Sequence, residues 1–250
     1  MDPASPIFEA RTDVDLDRPT LIEGLPGHGL VASIAVDQIT LQLGMEYYGR
    51  LYDETFPQVL TFQDGMARDP VRVYATPEEG LVTLQSDLAI PHRAFGSLSK
   101  GLFESVDAFG KAVFLAGAPA GSESERGTVM GIATTERMKS RLEAADIDLA
   151  ADPGVIGGVT GALARACHRR AVPTAVLVVN SHPYLPDPGA AQSVIESALE
   201  PLVEFDIDTT ELEKQATEIQ ERMQQIAEQY EQLTEQEGSR PESGVPGMYQ

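Results

Sequence analysis

Cysteine is almost missing from this sequence: Cys167 stands alone among 250 residues. No intramolecular disulfide can staple the chain, which favours a reducing, cytoplasmic setting. A leader is not visible either, because the first twenty residues carry Asp2, Asp13, Asp15 and Asp17 in place of a basic segment followed by an apolar one. Long hydrophobic runs are lacking. The most apolar stretches, such as residues 175–179, fall far short of the ~20 residues that a bilayer helix needs, so no membrane partner is expected. Positive charge is scarce as well. Lys+Arg number 18 against 39 Asp+Glu, a net −21, and only Lys100, Lys111, Lys139 and Lys214 are lysines. Nucleic acid is therefore a poor partner, since a phosphate backbone is bound through clustered Lys and Arg and the densest basic group along the chain is only Arg165, Arg169 and Arg170. High net charge also marks disorder, but 42% hydrophobic residues in periodic blocks oppose that for most of the chain. The acidity fits a halophilic, salt-rich cytoplasm, where acidic surfaces stay hydrated and repulsion is screened within a few Å.

What is present is the alternation of an α/β protein. Thr20-Leu21-Ile22-Glu23 runs into Gly24-Leu25-Pro26-Gly27-His28-Gly29-Leu30, and residues 30–43 then carry Leu30, Ile34, Ile39, Leu41 and Leu43 among small residues. This predicts strand, glycine turn and helix, with Gly44 as the stop. Strands are expected at 47–52, 71–75 and 81–85, the last two as a hairpin. A helix is expected over 94–109, then a buried strand at 112–116, a strand at 128–133, helices at 136–145 and 158–170, a strand at 174–179 and a helix at 190–203. Such alternation favours a largely parallel sheet covered on both faces, with the hairpin adding an antiparallel element.

Beyond Phe205 the character changes. Leu212, Ala216, Ile219, Met223, Ile226, Tyr230 and Leu233 follow in steps of four and three, an a/d seam of roughly three heptads. The narrow stripe favours self-association, as a homo-oligomer, or pairing with a neighbouring helix, over packing on the chain's own domain. Twelve acidic and two basic residues lie between Glu200 and Glu237, so ten of the 21 excess negative charges sit there. Association of such helices needs salt to screen them. Residues 238–247 then have the composition of a flexible tether, ahead of Met248-Tyr249-Gln250. The expected division is an N-terminal extension (1–18), an α/β domain (19–205), an acidic helix (206–237) and a tether with docking tail (238–250).

Chemistry-bearing residues occur singly. Gly24, Gly27, His28 and Gly29 sit where phosphate-binding loops sit, before a helix N-terminus. They match neither the P-loop nor the Rossmann order, and glycine there also serves close helix–strand approach. Ser97-Leu98-Ser99-Lys100 matches S-x-x-K without its companion motifs. Cys167 and His168 are neighbours whose side chains diverge by about 100° on a helix. Asp87, His92 and Ser181-His182-Pro183 fall near predicted strand ends, where α/β sites gather. His28, His92, His168 and His182 lack metal-ligand spacing, so neither metal nor cofactor is expected.

Three segments together carry a resemblance: the opening Gly24–Ala32 with its helix, Leu88-Ala89-Ile90-Pro91 after the hairpin, and the glycine-bearing stretch 154–161. The sequence resembles the proteasome assembly chaperone family, in its archaeal branch, over residues 19–230. The resemblance implies a phosphorylase- or hydrolase-like three-layer α/β/α sandwich, with a C-terminal helix able to form a coiled coil. It also implies a role for Met248-Tyr249-Gln250, which is similar to the hydrophobic-Tyr-any motif that docks between α-subunits of the proteasome core. Met248 would be the apolar contact, Tyr249 the anchoring ring, and the Gln250 carboxylate the partner of a pocket lysine. An aromatic with a polar tip and a charge-assisted bond suit such a division. The expected function is a non-enzymatic, ATP-independent assembly chaperone or activator of the proteasome. Two alternatives stand beside it: a phosphorylase- or hydrolase-like enzyme binding an anion at Gly24–Gly29, and a scaffold built on the acidic coiled coil.

Overall fold

The computed structural model describes residues 7–12, 14–105 and 109–222. Strand β1 (Ile7–Ala10) lies within the stretch read as an extension, and β2 (Thr20–Gly24) follows the acidic linker. One tight turn at His28–Leu30 leads into α1 (Val31–Gln42). Next come β3 (Glu46–Tyr52), a small hairpin of β4 (Thr61–Gln63) and β5 (Met66–Arg68), and the hairpin of β6 (Val71–Thr76) and β7 (Leu81–Ser86). Helix α2 (Phe95–Ser105) precedes β8 (Lys111–Pro119), β9 (Val129–Ala133), α3 (Glu136–Ala144), α4 (Gly158–Arg169) and β10 (Thr174–Ser181). The chain then runs through α5 (Pro188–Val194), a π-helical turn (Ile195–Leu199), α6 (Glu200–Val203) and α7 (210–222).

Eight strands form one sheet in the order β1-β3-β6-β7-β2-β8-β10-β9. Only the middle four, β7, β2, β8 and β10, are mutually parallel, and every outer pairing is antiparallel. This corrects the expectation of a largely parallel sheet. No helix lies between β3 and β6 or between β6 and β7, and a parallel neighbour requires a long crossover; β9 pairs antiparallel with β10 although α3 and α4 lie between them.

Alternation along the central strands divides the core into two layers. Ile22, Val113, Leu115, Leu177 and Val179 face α1, α3 and α5, whereas Leu21, Phe114 and Val176 face α2 and α4. The sandwich is thus helix, sheet, helix. Gly24 shows why the strand-to-helix turn is so close: a Cβ there would lie 2.5 Å from Val36 Cβ of α1. Among the described residues no helix is long and apolar enough to cross a membrane.

Candidate functional site

The four parallel strands all end at one edge, at Gly24, Ser86, Pro119 and Ser181, where α/β folds place ligands. The Gly27–Leu30 turn lies across this edge. Gly29 adopts φ +63°, and a Cβ on it would meet Ser181 Oγ at 2.5 Å. Its carbonyl accepts from the Asp187 amide at 2.9 Å, and the Leu30 amide donates to Gly27 at 3.2 Å. The turn is thereby tied to the ends of β10 and α5. Gly24 and Gly29 serve close approach, whereas Gly27 has open space beside it. His28 is half-buried, with its Nε2 buried and without a hydrogen-bond partner.

Beneath the turn lies a carboxyl group that the sequence reading missed. Glu23 is fully buried, and burial pushes its pKa up to about 8, against hydrogen bonds that favour the charged form. The Leu25 amide donates to Oε1 at 3.1 Å and the Thr160 hydroxyl to Oε2 at 3.3 Å. Glu23 is therefore a neutral acid at pH 7. Its one sequence signal is an acid placed inside the apolar strand Thr20-Leu21-Ile22-Glu23-Gly24.

Nearby polar side chains, among them the sequence candidates Asp87 and His182, are held by partners within the protein. Asp187, buried at the start of α5, accepts from Arg126 at 2.9 and 3.1 Å, from the His182 amide at 2.7 Å and from the Ala190 amide at 3.1 Å. His182 Nδ1 in turn accepts the Tyr184 and Leu185 amides. Asp87 is held by both Arg72 and Arg68. Burial alone would raise the Asp87 pKa, but Arg72 and then Arg68 outweigh it and hold the carboxyl below its ordinary value. Cys167 is buried, and burial pushes its thiol up to about 11, which leaves it unreactive. His168 contacts the Thr134 carbonyl at 3.3 Å, His92 and Lys100 are exposed, and Ser97 is half-buried. Among the described residues no cluster of His, Cys, Asp and Glu is placed to hold a metal ion.

A second surface is apolar and outward. A cleft of about 360 Å³ is lined by Tyr52, Phe56, Val59, Leu60, Leu88 and Ile90 among others, and the β4–β5 hairpin rises beside it. Leu60 is 75% exposed, and Phe62 and Met66 are each 73% exposed. Asp64 and Gly65, both at positive φ, form the tight turn. Exposed apolar patches of this kind are the surfaces on which proteins contact other macromolecules.

The C-terminal stripe divides. Leu212 is buried in the core of its own chain, in one cluster with Phe205 and Leu202, and Ile219 is half-buried. The Gln38 side chain donates to the Asp208 carbonyl at 2.7 Å, which ties the approach to α7 onto α1. Met223, Ile226, Tyr230 and Leu233 lie outside the described residues, as do Met248, Tyr249 and Gln250.

The profile of the PAC2 family matches residues 21–227. An uncharacterised protein of Methanocaldococcus jannaschii is 28% identical over 215 residues, 84% of this chain and 85% of that protein. A crystal structure of Pyrococcus furiosus PbaA, described as an archaeal homolog of proteasome-assembly chaperone, is 25% identical. It superposes with a TM-score of 0.75 over 92% of this chain and 99% of its own. Pyrococcus furiosus PbaB, described as an archaeal proteasome activator, shares the fold at 22% identity and a TM-score of 0.76, over 89% of this chain and 99% of its own.

Proposed function

Since the chain belongs to the PAC2 family, we propose that it acts as a proteasome assembly chaperone or ATP-independent activator, docking on the core particle through Met248, Tyr249 and Gln250. The observation that carries this reading is the 25% identity to PbaA spread over nearly the whole of both chains. The exposed Leu60, Phe62 and Met66 support a protein-binding role. In this reading residues 19–205, with β1 added at the sheet edge and Leu212 in the core, carry the fold, and Ile219, Met223, Ile226, Tyr230 and Leu233 join copies into a homo-oligomer. One three-residue tail binds weakly, but several tails on one assembly raise avidity by roughly 10²–10⁴ where their spacing fits the pockets. The partners are the α-subunits of the core.

The test is a pull-down with purified archaeal core particle at fixed salt. It compares the full chain, a variant lacking Met248–Gln250, and Tyr249→Ala. Binding by the full chain and its loss in both variants is the expected result. Equal capture of all three would overturn tail docking, and capture of none would overturn the proteasome reading itself.

A further inference from the structure

The chain has few cations, and four of them converge. Arg18, Lys111, Arg137 and Arg141 line a cavity of about 260 Å³ together with Thr20, Gly110, Met138 and Pro173. This cavity sits at the edge where β2, β8 and β10 begin, opposite the glycine turn, with α3 as its wall. Arg137 and Arg141 are four residues apart, so both project from one face of α3. Arg18 precedes β2 and Lys111 opens β8.

Ion pairing divides the cations: Arg93, Lys139, Arg165, Arg169, Arg170 and Arg222 share with the cavity the lack of a carboxylate partner among the described residues, and what marks the cavity is four cations on one lining. Arg11, Arg50, Arg68, Arg72, Arg126 and Lys214 all form ion pairs with carboxylates. None of the four cavity cations does so among the described residues, and no Asp or Glu lines the cavity. Lys111 is half-buried and donates to the Leu202 carbonyl at 3.0 Å. Burial and then the nearby charge of Arg141 lower its pKa, with Glu204 the one group acting in the opposite sense. Like charges gathered without counter-ions raise one another's electrostatic energy, and 39 acidic residues were available in the sequence to neutralise them.

We propose that this cavity is a binding site for a compact oxyanion of the phosphate class. Guanidinium forks match phosphate oxygens in pairs, and a lysine set behind them adds a point charge. Compactness follows from the −21 net charge. At 0.1 M salt screening acts over roughly 10 Å, so a ligand held within the cavity feels the four cations, whereas a long polyanion would run onto acidic surface. The shared chemistry is a short phosphate chain, whether inorganic or part of a nucleotide.

Titration calorimetry of the full chain with sodium tripolyphosphate, at constant potassium chloride, tests the assignment. Saturable binding is expected, with affinity reduced at least about tenfold in Arg137→Gln/Arg141→Gln. Both arginines are exposed, so the variant should keep its fold, which circular dichroism checks. Arg93→Gln/Arg165→Gln alters two exposed arginines outside the cavity and makes the same change in net charge; its affinity should match that of the parent. A nucleoside triphosphate that binds as tripolyphosphate does shows that the phosphate chain alone is read, and tighter binding adds a base contact. Absence of saturable binding, or equal weakening in both double variants, would overturn the site. A 20-mer oligonucleotide binding as tightly as tripolyphosphate would overturn the compact ligand.

Discussion

Replacing Glu23 by glutamine should stabilise the protein, by an amount set by pH. In the fold Glu23 has a pKa of about 8, against 4.5 for the ordinary group. Below pH 4.5 it is protonated whether the chain is folded or not, and contributes no pH dependence. Between pH 4.5 and 8 the unfolded chain releases the proton and the folded one keeps it, so stability falls as pH rises. Each pH unit in that window is worth about 1.4 kcal/mol, and the whole window roughly 5 kcal/mol. Glutamine keeps the size of the neutral acid and an oxygen for the Leu25 amide and the Thr160 hydroxyl, but it does not ionise. The stability difference between Glu23→Gln and the parent should therefore grow from about 1 kcal/mol at pH 5 to about 3 at pH 7, and level off near 5 above pH 8. A constant offset for placing the amide nitrogen can add to all of these. Urea unfolding at fixed salt is the appropriate assay, since guanidinium would change the ionic strength. Taking the difference between the two proteins cancels the titration of the remaining carboxylates. A difference that stays constant from pH 5 to pH 8 would refute the reasoning.

Asp187→Ala should cost roughly 3–5 kcal/mol, because it leaves Nε and Nη2 of Arg126, whose Nη1 keeps Glu123, and the His182 and Ala190 amides without their acceptor, and thermal melting of the two proteins measures it. Burial would raise the Asp187 pKa, but Arg126 and the amides outweigh it and hold the carboxyl below 3.8. Its contribution is thus present above that value and lost on acidification, so an Asp187→Ala penalty that persisted undiminished at pH 2 would contradict the account. Gly29→Ala should cost roughly 1–3 kcal/mol, from left-handed backbone strain and the approach to Ser181 Oγ; an unchanged urea midpoint would show that the turn relaxes freely.

The parts of the fold that could be read from sequence are those whose burial is imposed on both faces. Strands β2, β8 and β10 are short, mostly apolar runs flanked by helices of clear period, so their type, though not their place in the sheet, follows from the sequence pattern. The β4–β5 hairpin carries the Asp64-Gly65 turn signal, yet its strands are three residues long and outward on both faces, so no apolar alternation marks them. Strand β1 escaped for a related reason, being a four-residue strand whose sheet neighbour among the described residues, β3, is about forty residues away. Sites were less legible than strands. His28 is conspicuous in the sequence, whereas Glu23 owes its neutral state to burial and to contact with Thr160, which lies 137 residues away. The basic cavity is hidden in the same way. Counting cations along the chain finds Arg165, Arg169 and Arg170, while Arg18, Lys111, Arg137 and Arg141 meet only because β2, β8 and α3 share one edge of the sheet. The C-terminal stripe marks the limit of periodicity as an argument. A step of four and three specifies a face and not the partner of that face: Leu212, the first position of the seam, is buried in the chain's own core cluster. Any contact between copies along this helix therefore draws on positions from Ile219 onward.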